Sequence, residues 1–141
     1  MTEMLVNISL RAWHPKLLAV EITDVFGLPV EVSHSINDPR SAPNGRLLGG
    51  AYENTYVSMS MVRKKMVELD DELLLCIENI QSNREFIANL LTTGGEVEFY
   101  VSVFLDDSCG FSFGRSFISE LARIGLGVSV EMYPDQPAAG N

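Results

Sequence analysis

Glu96–Leu105, reading EVEFYVSVFL, is the stretch whose reading decides the fold class. Val97, Phe99, Val101, Val103 and Leu105 alternate with Glu96, Glu98, Tyr100 and Ser102. Side chains change face at every residue of a strand, so this is a strand with one apolar and one polar side. A strand covered by helices on both faces would read as a continuous apolar run instead. The sheet it belongs to is therefore expected to bury one face only.

The flanking sequence supplies the helices. Upstream, Asp70-Asp71-Glu72 marks a helix start, where acidic side chains face the positive end of the dipole. Its apolar stripe runs through Leu73, Ile77, Ile80, Ile87 and Leu91, and Thr92-Thr93-Gly94-Gly95 ends it. Downstream, Asp106–Gly110 reads as a loop and Arg115–Ile124 as a short helix stopped by Gly125. Val128, Val130 and Met132 then alternate with Ser129, Glu131 and Tyr133 in a last strand.

The first half repeats the grammar. Met4, Val6, Ile8, Leu10 and Ala12 alternate with Leu5, Asn7, Ser9 and Arg11. His14-Pro15 then opens a helix, with Pro15 at its first position, and Gly27 and Pro29 close it. Val30, Val32, His34 and Ile36 form a second strand, and Thr55–Val62 a third. The fold class is α+β. It is a two-layer sandwich with a mainly antiparallel sheet of about five strands, helices on one face, and the ferredoxin-like order β-α-β-β-α-β plus α-β. Residues 1–133 make a single domain and 134–141 a flexible C-terminal tail.

Asn37–Tyr52 separates the second and third strands. It is too long for a hairpin turn and too rich in Gly and Pro for a helix. A loop of that kind has a job or a packing role, and it carries Arg40 and Arg46, two of only ten basic residues. Guanidinium groups in such a segment suit bidentate pairing, so Arg40 or Arg46 is expected to meet a carboxylate, or the loop to fold against the sheet. Arg63-Lys64-Lys65 reads as a solvated turn at the end of the third strand.

The net charge is −9 and unevenly spread. Residues 1–65 hold seven Lys or Arg and six Asp or Glu, a net +1, whereas residues 66–141 hold three and thirteen, a net −10. Phosphate binding needs clustered cations, so nucleic acid is excluded as a partner of the second half. A basic protein surface would be attracted to it. Nothing resembles a membrane span or a secretory leader, which points to the cytoplasm, and Cys76 and Cys109 are expected to be reduced thiols.

Candidate chemistry is sparse. Cys109 precedes a helix, but its acidic neighbours oppose a thiolate. Cys76 sits among leucines and reads as core. His14 reads as a polar residue at a helix start and His34 as a core histidine, and two histidines do not make a zinc set. Asp70-Asp71 and Asp106-Asp107 do not continue into a calcium loop. No phosphate-binding, nucleophile-elbow or zinc-protease pattern occurs. No catalytic residue, metal ligand or cofactor is assigned.

Several segments together resemble a family of small, mostly bacterial proteins catalogued as domain of unknown function 4279. They are Trp13-His14-Pro15, Phe26-Gly27-Leu28-Pro29, Pro39-Arg40, Asn44-Gly45-Arg46-Leu47-Leu48-Gly49-Gly50, Leu121-Ala122-Arg123-Ile124-Gly125-Leu126 and a strand finishing in Tyr133. The chain departs from the family at Tyr56, where a Trp is common. The resemblance implies no activity, and some relatives look like immunity proteins of bacterial toxin systems.

The sequence thus reads as a non-catalytic protein-binding module, with an immunity-type inhibitor of a toxin as its sharper form. The expected contacts to a basic partner are Glu96, Glu98, Asp106, Asp107 and Glu131. The alternative is a small-ligand-binding or homo-oligomeric regulatory domain, a homodimer included; an enzyme is the weakest reading.

Overall fold

The computed structural model describes residues 3–105 and 110–134 of the chain. The main sheet has five strands: β1 (Glu3–His14), β2 (Val30–His34), β5 (Thr55–Glu68), β6 (Glu96–Leu105) and β7 (Gly127–Pro134). Their order is β2-β5-β1-β6-β7. All neighbours are antiparallel except β6 and β7, which run parallel. Without β7 the arrangement is the ferredoxin-like one: the first strand is central and the second lies at an edge.

One face of this sheet meets the helices α1 (Ala19–Phe26), α2 (Leu69–Ile80), α3 (Arg84–Thr92) and α4 (Arg115–Ile124). Val6, Ile8, Leu10 and Ala12 of β1 are fully buried there, as are Phe99, Val101, Met59 and Val57 from the neighbouring strands. Leu69, Leu73, Ile87, Leu90 and Phe117 close the layer from the helix side. Full burial of such a side chain contributes about 1.5–3 kcal/mol, so this layer supplies most of the stabilisation.

Five local readings of the sequence change. The first helix starts at Ala19, not at Pro15. His14 is the reason: its Nδ1 accepts the backbone N–H groups of Lys16 and Leu17, both at 3.0 Å, and this turn replaces the first helical one. Helix α1 then begins where Ser35 Oγ takes the Ala19 N–H and Glu21 takes the Leu18 N–H.

The helix expected from Asp70 to Leu91 breaks at a single 3₁₀ turn, Gln81–Asn83, between α2 and α3. Ser82 and Asn83 are residues whose side chains compete for backbone groups, and Asn83 Nδ2 donates to the Val25 carbonyl at 3.4 Å.

Arg63-Lys64-Lys65 is not a turn but part of β5, which continues to Glu68 opposite Glu3. Lys64 sits at a bulge with φ of 48°, its N–H held by Asn7 Oδ1 at 2.7 Å. Pro134, expected in the tail, still pairs as the end of β7, and the remainder of the tail lies outside the described residues.

The fifth change concerns the long loop, which is itself a two-stranded arm, β3 (Pro39–Ser41) with β4 (Leu47–Ala51). Its tip turns at Pro43-Asn44, with Gly45 at φ 87° accepting the left-handed position that closes the turn. Every residue of both arm strands is exposed.

Candidate functional site

The uncovered face of the sheet carries the residues that the alternation assigned to it. Arg11 lies between Ser58 and Glu98, Ser9 between Ser60 and Tyr100, and Tyr100 beside Ser129. On the β6–β7 side the polar groups satisfy one another. Arg11 donates from Nε and one terminal nitrogen to Glu98 Oε1 at 3.2 and 2.7 Å, and Ser129 donates to the other Glu98 oxygen. The Arg11 guanidinium also stands 4.2 Å over the Tyr100 ring and 5.2 Å over Trp13. Tyr133 donates to Glu131 at 2.6 Å, which holds the Glu131 carboxyl below its usual range. On the β2 side, Glu31 accepts from the Ser9 and Ser58 hydroxyls and from Arg63.

At the other end of β1 the face becomes aromatic. Trp13 and Tyr56 are cross-strand partners with ring centroids 5.3 Å apart. His34 pairs in register with Tyr56 and stacks on Tyr52 at 3.5 Å and 8°. The rings of Tyr52, His34, Tyr56 and Trp13 thus form a row that ends on the Arg11 guanidinium. Tyr52 reaches this row because the arm's base is pinned: the Asn37 N–H donates to the Tyr52 carbonyl and the Tyr52 N–H to the Asp38 carbonyl. Thr55, wholly buried, accepts the Ile36 N–H and donates to the Leu17 carbonyl, tying the same corner to the start of α1.

Between this row and the arm lies an open cleft of about 630 Å³. Arg11, Trp13, His34 and Tyr56 line it from the sheet; Arg40, Ala51, Tyr52, Glu53 and Asn54 line it from the arm and its return. The volume is that of a small-molecule pocket. Burial depresses the His34 pKa, so the imidazole is neutral at pH 7, and its Nδ1 is enclosed without a partner. His34 is therefore a half-buried wall of the cleft and not the core histidine the alternation implied. The strand on which it sits is an edge, and Val30 and Val32 stay exposed.

Among the described residues neither Arg40 nor Arg46 meets a carboxylate. Arg40 lines the cleft, with Gly50 (φ 70°) lying beside its side chain. Arg46 is an exposed residue next to the arm's turn. The loop's contact with the sheet is made by Tyr52, not by either guanidinium.

Of the acidic residues expected to meet a partner, the described ones lie on β6 and β7. Glu98 is half-buried and neutralised by Arg11. Glu96 is exposed near Trp13, with no cation beside it among the described residues, and Glu131 is exposed on β7. Asp106 and Asp107 lie outside the described residues, as does Cys109. Cys76 is a buried free thiol whose pKa is pushed up to about 12 by burial and then by Glu72, so it is inert at neutral pH. No cluster of His, Cys, Asp or Glu among the described residues is arranged to hold a metal ion. No described helix is long and apolar enough to cross a membrane.

Sequence reasoning placed Arg11 and Tyr100 on the open face, expected Arg40 or Arg46 to meet a carboxylate or the loop to fold against the sheet, and missed the cleft. Trp13, Tyr52 and Tyr56 are far enough apart in sequence that only strand register brings them together. The available signal was that Trp13, His34 and Tyr56 all sit at strand ends. Compared with family models, with curated proteins and with solved structures, the chain finds no match.

Proposed function

We propose that this chain is a non-catalytic binding module whose binding site is the cleft between the aromatic end of the open sheet face and the β3–β4 arm. The observation that carries this is Arg40: a guanidinium in no ion pair among the described residues, on an arm that stands across the cleft from His34, Tyr56 and Trp13 and carries Glu53 on its return. The other guanidinium in the cleft, Arg11, is already neutralised by Glu98. A binding site keeps its polar groups unspent for a ligand, whereas a structural surface pairs them internally. The reading needs no nucleophile, metal or cofactor, and the free Cys76 thiol suits a cytoplasmic setting.

Backbone amide chemical shifts during a titration with a library of small molecules test it. Perturbations should cluster on Trp13, His34, Tyr52 and Tyr56. Perturbations confined to the helix layer or to β7 would reject the cleft as the site, and turnover of any library member would reject the non-catalytic reading.

A second reading is a protein inhibitor of the immunity type, favoured by the exposed Glu96 and Glu131 in an acidic second half. Glu98 cannot serve it without giving up Arg11. Its test is the association rate with a basic protein across a salt series. Changing Glu96 and Glu131 to Gln should slow association at low salt and hardly at all at high salt.

A further inference from the structure

We propose that the cleft takes a small planar molecule carrying one anionic group, with the anion on Arg40 and the ring against Tyr56 and Trp13. This rests on the cleft being the binding site and adds the chemistry of what fills it.

Charge and shape both argue for this class. A guanidinium presents a planar fork that matches a carboxylate or phosphate, and the Arg40 fork is bonded to no acceptor among the described residues, with Glu53 as the one carboxylate on its rim. Around it the cleft offers ring faces, which stack well on a flat ligand and poorly on a branched aliphatic one. His34 is neutral and covered on one face by Tyr52, so it adds no second positive charge beside Arg40. Glu53 and Asn54 on the same rim can accept hydrogen bonds from donors on the ring, and the Glu53 carboxylate disfavours a ligand with more than one negative group. A nucleic-acid strand is opposed by the net charge of −9 and by the single uncompensated cation of the cleft. The volume of about 630 Å³ holds a ligand of nucleoside size.

Trp13 is the chain's single tryptophan, so its indole N–H gives one unambiguous resonance inside the cleft. The probes are adenosine monophosphate and 4-aminobenzoate, against their uncharged counterparts adenosine and aniline. The two anionic probes separate phosphate from carboxylate as the preferred group. At least one of them should shift the indole resonance saturably and bind about tenfold or more tightly than its uncharged counterpart, the factor expected for a hydrogen bond to a charged group. Arg40→Gln should remove that advantage, and Arg40→Lys should restore only part of it because the fork is lost. Arg40 is exposed and bonded to nothing described, so both variants should fold.

Three outcomes overturn the proposal. If uncharged rings bind in the cleft as tightly as the anions and Arg40→Gln changes nothing, the anion assignment falls while the cleft stands. If inorganic phosphate alone competes as well as the ring-bearing probes, the aromatic row plays no part. If no probe of either kind moves the Trp13 resonance at millimolar concentration, the ligand class and the cleft reading fall together.

Discussion

The open face of the sheet has two ends that treat charge in opposite ways. At the β6–β7 end, Arg11, Glu98 and Ser129 close on one another, and Tyr133 closes on Glu131. Where the arm stands over the sheet, Arg40 lies across the cleft from His34, Tyr56 and Trp13 and pairs with no carboxylate among the described residues. Both ends come from strands with the same alternation, so alternation alone does not make a site. The difference comes from the arm, which adds a second wall at one end only. A half-buried polar network that satisfies itself is part of the scaffold, whereas unspent groups beside a concave aromatic wall are available to a ligand.

The sharpest way to break this division is to show that the cleft is part of the core. Phe99 is wholly buried on the helix side, one residue from Glu98 and Tyr100 on the other. Phe99→Ala should cost about 3–5 kcal/mol in urea unfolding. Arg40→Ala should stay within about 0.5 kcal/mol. Comparable costs for the two would mean that the arm holds the fold together and is not an appendage serving a ligand.

His14 comes next, because it fixes the corner from which both Trp13 and the first helix emerge. Its Nδ1 accepts two backbone N–H groups, so its Nε2–H donates to Thr93 at 2.8 Å. His14→Ala leaves the two part-buried backbone donors without this acceptor, a loss of about 1–3 kcal/mol at about 0.5–1.5 for each hydrogen bond. The ring must stay neutral to accept, and burial, followed by Lys16, lowers its pKa from 6.5. With the folded pKa depressed, this stabilisation is complete above 6.5 and is lost as the pH falls through the folded value. Unfolding measured from pH 8 downward should therefore show stability falling below that point. The fall should be shallower in His14→Gln, and an unchanged slope would remove His14 from the account.

Glu98→Gln probes the paired end directly. The change leaves the half-buried Arg11 without its charged acceptor and should cost about 1.5–3 kcal/mol, the range for a hydrogen bond to a charged group. Occupancy of the cleft by an uncharged ring should survive. If Glu98→Gln abolishes ring binding while the protein stays folded, the two ends are one site and the comparison fails.

How much of this was legible in the sequence follows the same line. Alternation in Glu96–Leu105 and Met4–Ala12 gave the one-sided sheet, because period two is a local property. Helix α1 was misplaced because the turn at His14 depends on a ring nitrogen accepting backbone groups, which no propensity records. Strand β5 was cut short because a basic run looks like a turn unless the bulge at Lys64 and its Asn7 partner, 57 residues away, are in view. The tie between Glu98 and Arg11, 87 residues away, is likewise outside the reach of local patterning. The cleft was least legible of all, since it needs the register Trp13–Tyr56–His34 and the stacking of Tyr52 at the same time.

The smallest effect gives the finest view of the cleft. Tyr52 covers His34 face to face, and burial is the main reason that the His34 pKa lies below its ordinary 6.5, ahead of the opposing effect of Asp38. Tyr52→Ala uncovers the ring, so the charged form regains water and the pKa should rise toward 6.5. The stacking lost is about 0.5–1.5 kcal/mol, little enough for the fold to persist. The measurement is the His34 ring proton shift against pH in both proteins, with His14 as an internal control whose titration should not move. If the His34 midpoint stays where it was, Tyr52 does not shield it in solution. The arm would then stand away from the sheet, and the contrast between the two ends of the face would be lost.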